Sequence, residues 1–321
     1  MMAPPKRNSA ADRFGAFRRR LAGAVFALSL AVLVPAGLAQ AKDPQVFDTP
    51  EAAAQAILDA LATADRDAIL AVLGDKYADE LFTEETSRER ANYERVVAAA
   101  KENMQLRADD DRTRVMVLGK DAWPMPIPIV KGDGGWQFDT AAGIDEMVAR
   151  HIGENELATI ETLRAFVQAE AQYATEDRDG DEVLEYAQKL ISTEGKKDGL
   201  FWKVSGADEE PSPFGPFIAE LPAYVKERTA GEPYMGYYYR MLTRQGENAP
   251  GGRYDYIING NMIAGFAAIA VPAEYLETGV MTFVISHQGK LYEKDLGEDT
   301  ALLAAAIQDY NPDDSWSLQP E

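Results

Sequence analysis

Imidazole is scarce in this sequence: His151 and His287 are its two histidines, and cysteine is absent altogether. A zinc site draws several of its ligands from His and Cys, so this composition argues against a zinc enzyme. Thiol nucleophiles, disulfides and a lipid-bearing cysteine are removed outright. His287 follows Ser286 in the turn Ser286-His287-Gln288-Gly289. A Ser–His relay needs the hydroxyl and the ring to face each other, with an acid behind the ring. Adjacent residues of a strand point to opposite faces, so these two are poor partners for each other. The plainer reading makes His287 a solvated turn residue and His151 a packed or capping one. The chain has no Gly-x-Ser-x-Gly elbow, phosphate-binding loop or dinucleotide fingerprint. No catalytic residue and no organic cofactor are assigned on these grounds.

The other candidates are carboxylates and aromatics. Asp177, Asp179 and Asp181 alternate beside Gly180, and such a set can wrap a hard cation such as calcium. The EF-hand pattern is not met. Counting Asp177 as the first position puts Glu182 where glycine belongs and Gln188 where the bidentate glutamate belongs; counting back from Gly180 puts Thr175 first. An incomplete calcium loop therefore competes with a solvated acidic turn, the plainer reading. With 53 acids in the chain, any Asp–Glu pairing says nothing about glycoside hydrolysis. Tyr234, Tyr237, Tyr239, Tyr254 and Tyr256 could line one sheet face that receives a sugar or a peptide. Tyrosines packed into a sheet core are the plainer alternative.

The net charge is −21. Residues 1–41 hold Lys6, Arg7, Arg13, Arg18, Arg19 and Arg20 against Asp12, a balance of +5, so the remainder carries −26, the difference of the two. That sign argues against nucleic acid and anionic membrane surfaces as partners. Residues 1–41 have the form of an export signal: the arginine triplet, an apolar run over 21–34 too short for a comfortable span, then Ala39-Gln40-Ala41 as a small-residue cleavage site. An uncleaved anchor is the competing reading. The sequence has no second long apolar run, so the expected protein is periplasmic or secreted, with no membrane span after cleavage.

The elements that must position any site follow from periodicity. Stretch 234–311 alternates with period two over 237–242, and 254–258 reads as a second strand. Asn259-Gly260 then predicts a two-residue hairpin turn, because both central positions need positive φ. The small-residue run 262–271 predicts a strand buried on both faces, stopped by Pro272. Residues 280–286 and a run from Leu291 predict two more strands. A last helix, capped by Asp299 or Thr300, carries Leu302, Leu303, Ala306, Ile307 and Tyr310 and ends at Asn311-Pro312. Upstream, helices are predicted after Thr49-Pro50, over 69–73 and over 88–104. Strands follow at 115–118 and 136–138, with the proline-alternating run 123–130 as an edge. A helical face at 144–152 is interrupted at Gly153, the longest helix runs over 156–175, and a shorter one spans 183–191. The domains expected are a signal at 1–41, an N-terminal α+β domain at 42–142, and a long helix plus C-terminal sheet at 143–321. The fold class is α+β, with the helix 156–175 packed on the antiparallel sheet.

Several blocks carry a resemblance. They are Gly134-Gly135-Trp136-Gln137-Phe138-Asp139, Ile152-Gly153-Glu154-Asn155-Glu156 and Asp198-Gly199-Leu200-Phe201-Trp202. Gly236-Tyr237-Tyr238-Tyr239, Ala249-Pro250-Gly251-Gly252, Gly279-Val280-Met281-Thr282-Phe283 and Tyr292-Glu293-Lys294-Asp295-Leu296-Gly297 continue the series. Together they resemble the exported bacterial family called domain of unknown function 2950, over nearly all of the chain after the leader. The resemblance implies an envelope location and no chemistry. Helices followed by a small curled sheet loosely resemble the nuclear-transport-factor-2-like cone folds. The C-terminal half weakly resembles a pilin head, without the N-terminal helix that a pilin needs. The functional expectation is a non-catalytic binding or assembly module for an envelope protein or cell-wall component. A periplasmic hydrolase acting on wall or envelope material is the alternative.

Overall fold

The computed structural model describes residues 41–82, 86–178, 180–204, 206, 209–215 and 233–320. The fold is α+β, and the chain divides into two compact units between Arg150 and His151. Among the described residues no helix is long and apolar enough to cross a membrane.

In the first unit, helix α1 (Pro50–Thr63) starts where the sequence says it must. Thr49 Oγ1 accepts from the Ala52 amide at 3.1 Å, and Pro50 fills a position where no amide partner is needed. Helix α2 (Arg66–Leu73) is capped by Asp65, which accepts from the Asp67 amide at 3.0 Å. It ends at Gly74, with φ of 79° and the Lys42 carbonyl so close that a Cβ would stand 2.7 Å from it. A short α3 (Ala78–Leu81) and α4 (Thr86–Glu102) follow. The expected helix over 88–104 therefore stops at Glu102, and Met104 opens a strand that periodicity did not show.

That strand, β1 (Met104–Ala108), pairs antiparallel with β2 (Thr113–Leu118). Next come β3 (Trp123–Pro124), β4 (Ile129–Lys131) and β5 (Trp136–Phe138), in the order β1-β2-β4-β5 with β3 beside β2. Residues 125–128 break the expected continuous run, because the alternating prolines supply no donors to a ladder. Helix α1 turns Ala53, Ile57, Ala60 and Leu61 into a core shared with Met116, Leu118, Ile129 and Phe138. Each such large side chain contributes about 1.5–3 kcal/mol by leaving water.

The long helix α5 (Thr140–Tyr173) has 34 residues and spans about 51 Å. It corrects two readings. Gly153 does not interrupt it, and the helices expected at 144–152 and 156–175 are one. A glycine inside a helix costs about 0.5–1 kcal/mol against alanine, which the rest of α5 tolerates. The division between units falls within this helix.

The second unit is built on a five-stranded antiparallel sheet. Its strands are β6 (Tyr237–Leu242), β11 (Ala267–Pro272), β12 (Met281–Ser286), β13 (Leu291–Asp295) and β14 (Ser317–Leu318), in the order β14-β13-β12-β11-β6. Ala267, Ala268, Ile269 and Ala270 are all buried, so β11 is covered on both faces as its composition implies. The register sets Ala267 opposite both Leu242 and Ser286. From α5, Leu163, Phe166, Ala169 and Tyr173 join the same core, with Phe166 edge-on to Phe266 at 5.4 Å. Glu156 Oε1 accepts from the Val280 and Met281 amides at 3.0 and 2.9 Å, and Tyr239 Oη donates to Thr159 Oγ1 at 3.1 Å. These bonds fix the helix against the sheet.

Small ladders decorate this sheet. β7 (Arg244–Gln245) pairs with β8 (Tyr254–Asp255), and β9 (Ile257–Ile258) with β10 (Asn261–Met262). The run 254–258 is thus two strands rather than one, divided at buried Tyr256. The Asn259-Gly260 turn has φ of 54° and 101°, as its hairpin requires. Residues 263–266 also leave the strand expected over 262–271, with Gly265 at φ of 143° and the His287 ring against it. Pro272 closes β11 as its last residue.

Residues 183–191 are irregular, not helical. Their amides have tertiary acceptors: Tyr186 donates to the Met262 carbonyl at 2.9 Å and Ala187 to Glu170 Oε2 at 2.8 Å. Helix α6 (Thr300–Ala306) is shorter than expected. It buries Thr300 and Ala304, leaving Leu302 and Leu303 73% and 45% exposed.

Candidate functional site

The second unit carries an open groove of about 590 Å³, a size suited to a small organic ligand. Four pieces of chain make it, one of them β7 through Arg244. β12 and β13 give Val284, Lys294 and Asp295; α6 gives Leu303 and Ala306; the segment after α6 gives Ile307, Asp309, Asn311 and Trp316.

Local bonds explain why that last segment stays in place. Tyr310 donates its amide to the Arg244 carbonyl and accepts the Gly246 amide, both at 3.0 Å. Asn311 Oδ1 accepts from the Asn248 amide at 2.8 Å, and Gly246 allows the approach, since a Cβ there would stand 2.4 Å from Asn311 Cγ. Arg240 reaches from β6 to the end of α6, donating to the Ala304 and Ile307 carbonyls at 3.1 and 2.6 Å. A cation is favoured at that helix end. Further on, Lys294 Nζ donates to Ser315 Oγ at 2.7 Å and stands 5.8 Å from the centre of the Trp316 ring. Trp316 is half-buried, and its neighbours in β14 pair with β13.

The electrostatics are balanced. Arg244 Nε donates to Asp309 Oδ1, and that carboxylate holds the guanidinium further above its ordinary range. Asp309 is shared with Arg253 at 3.6 Å. Asp295 Oδ1 accepts from the Tyr275 hydroxyl at 3.0 Å and the Gly297 amide at 2.8 Å. Tyr275 is pushed up to about 12, chiefly by burial and then by that bond. Both carboxylates are therefore committed to donors. The lining residues include no Ser, Thr, Cys or His. What the groove offers is apolar surface, amide and ionic hydrogen-bonding groups, and one indole edge.

The residues singled out by sequence lie elsewhere. His287 is half-buried, with its ring edge-on to Tyr256 at 5.7 Å and to Phe266 at 6.1 Å. Its Nδ1 has no hydrogen-bond partner among the described residues, and burial lowers the imidazole below its ordinary range, the Phe266 carbonyl opposing. It is a packed residue rather than a solvated turn residue. Ser286 is buried beside Tyr310, whose phenol burial pushes up to about 12. His151 is exposed on α5, 3.2 Å from the Asn155 side chain. Tyr237 and Tyr256 are buried in the core, Tyr239 bonds to Thr159, and Tyr254 meets Tyr256 edge-on. They pack the sheet rather than pave a surface.

In the acidic loop, Asp177 accepts from the Gly180 and Glu182 amides at 2.7 and 2.9 Å. Asp181 accepts from the Val183 amide at 2.8 Å and from Asn261 Nδ2 at 2.6 Å. Asp179 lies outside the described residues. Among the described residues no three His, Cys, Asp or Glu side chains are grouped to hold a metal ion.

Two features escaped the sequence reading. Trp316 sits in an aperiodic tail, where no pattern points to it. Glu170 did leave a signal: it stands four residues after Phe166 and seven after Leu163, on the apolar stripe of α5, and it is fully buried.

Comparison with known proteins adds a family. The family model described as "Protein of unknown function (DUF2950)" matches residues 44–318. No curated protein and no solved structure matches the chain.

Proposed function

We propose that this chain, which belongs to the family Protein of unknown function (DUF2950), is an exported envelope protein. In this reading its C-terminal unit binds a cell-wall fragment or an envelope partner and does no chemistry on it. The observation that carries the reading is the groove beside α6, where an indole, amides and matched ion pairs meet apolar surface. Such a mixture suits a polar ligand with an apolar face, as a wall saccharide or peptide has. A hydrolase built on two carboxylates needs one as a proton donor and one as a base or nucleophile. Here Asp309 answers two arginines and Asp295 two donors, which favours binding over turnover. The arginine triplet, apolar run and Ala39-Gln40-Ala41 of the leader support export, and the charge of −26 beyond it favours neither nucleic acid nor an anionic bilayer.

The test joins two measurements. The mass of the protein from a native envelope extract should correspond to a chain beginning at Lys42; full-length protein in the cytoplasm would remove the export reading. Calorimetric titration of that mature protein with solubilised wall fragments should show binding without bond cleavage. Turnover of those fragments would replace the binding module by the hydrolase.

A further inference from the structure

Glu170 is enclosed without a counter-ion. It is 0% exposed on α5; Oε2 accepts the Ala187 amide at 2.8 Å, and Oε1 meets no partner among the described residues. What closes over it is the irregular strap of residues 181–188. The strap is held at its ends by the β9–β10 hairpin: Asn261 Nδ2 donates to Asp181 at 2.6 Å, and Gln188 Nε2 donates to the Gly260 carbonyl at 2.6 Å. In its middle the Met262 amide donates to Glu185 at 2.8 Å, and Tyr186 lies edge-on to Phe266 at 4.8 Å.

The charged and titratable groups around Glu170 do not compensate it. On the strap, Glu185 turns to the Met262 amide and the Tyr186 ring to Phe266. On α5, the Tyr173 hydroxyl donates to the Lys197 carbonyl at 2.9 Å. Past the helix end, Arg178 pairs with Glu210 at 2.6 Å and Glu176 at 3.7 Å. His287 rests its ring on Phe266 and Tyr256. The hairpin residues 257–262 include no titratable side chain. Burial, which raises the pKa of Glu170, and the single Ala187 amide, which lowers it, are what act on its carboxyl, and burial is the larger.

We propose that Glu170 is a proton-dependent latch: its neutral carboxyl seats the strap 181–188 on α5, and loss of that proton lifts the strap. A neutral carboxyl tolerates the apolar enclosure with one hydrogen bond, whereas an unpaired carboxylate there must find water. The strap is the part that can yield. It has no helix or strand bonding of its own, and beyond Glu170 its ties are to one small hairpin, to the Phe266 ring and, through the Glu182 amide, to Asp177. Lifting it uncovers Ala187, Tyr186 and the Phe166–Phe266 contact, so alkaline conditions expose apolar surface on the second unit.

Hydrogen-exchange mass spectrometry on the mature protein tests this, from about pH 5 to about pH 9 and corrected for chemical exchange. In the wild type, protection of residues 181–188 should fall by up to about tenfold per pH unit above the ordinary carboxyl range and level off once the seated Glu170 has itself ionised, while protection of the central strands holds. Glu170→Gln keeps the acceptor and removes the titration, so its strap should stay protected throughout. Ala187→Pro removes the amide, so its strap should be unprotected at every pH. Flat protection in the wild type, a fall in Glu170→Gln parallel to the wild type, or a wild-type pH response surviving in Ala187→Pro would each overturn the latch.

Discussion

A glutamate enclosed by apolar side chains must show in the pH dependence of folding. Burial raises Glu170 well above the ordinary carboxyl range in the folded chain. Below that range the folded and unfolded chains are both protonated, and stability is at its fullest. As pH rises past the ordinary value, the unfolded chain releases the proton first, and stability falls by up to about 1.4 kcal/mol per pH unit until the folded group also ionises. Glu170→Gln should match the wild type in acid and exceed it increasingly toward neutral pH in urea titrations. Comparing the two chains cancels the general repulsion of the acidic surface. A second single-residue prediction concerns Gly153. A Cβ there would touch nothing within 4 Å, so Gly153→Ala should stabilise by about 0.5–1 kcal/mol. Sequence pattern shows Glu170 on an apolar stripe but cannot say what covers it. It reads Gly153 as a break because the energy of the surrounding helix is not local.

Elements were legible where one pattern dominated. Thr49-Pro50 marks the start of α1, Asn259-Gly260 the hairpin and the alanine run the twice-buried β11, because each signal is local chemistry. Residues 183–191 were not, since tertiary acceptors for Tyr186 and Ala187 override a helical spacing. Nor was α6: the sheet takes its small Thr300–Ala304 face, while the leucines that periodicity would bury face outward. What holds so short a helix is largely Arg240 beneath its C-terminal carbonyls. Arg240→Met should therefore cost about 1–2 kcal/mol in thermal unfolding and raise hydrogen exchange in Thr300–Ala306 before that of β11. Equal exchange in both would mean that packing alone seats the helix.

At the scale of the molecule, composition bears on which chemistry the chain can do, and the compartment proposed for it rests on the leader. The absence of cysteine and scarcity of histidine set aside thiol and zinc chemistry, and the leader with its acidic remainder supports export. The groove was hidden because its parts lie as far apart as Arg244 and Trp316 and converge only through tertiary bonds. Its indole is also the means of testing it. The chain has four tryptophans, Trp123, Trp136, Trp202 and Trp316, and of these Trp316 alone lines the groove. Nuclear magnetic resonance of the four indole N–H groups, followed while solubilised wall fragments are added to the mature protein, reads the site directly. The Trp316 resonance should shift in a saturable way while those of Trp123, Trp136 and Trp202 stay in place. A titration that leaves Trp316 unmoved, or moves another indole instead, would contradict the assignment of the groove as the binding site.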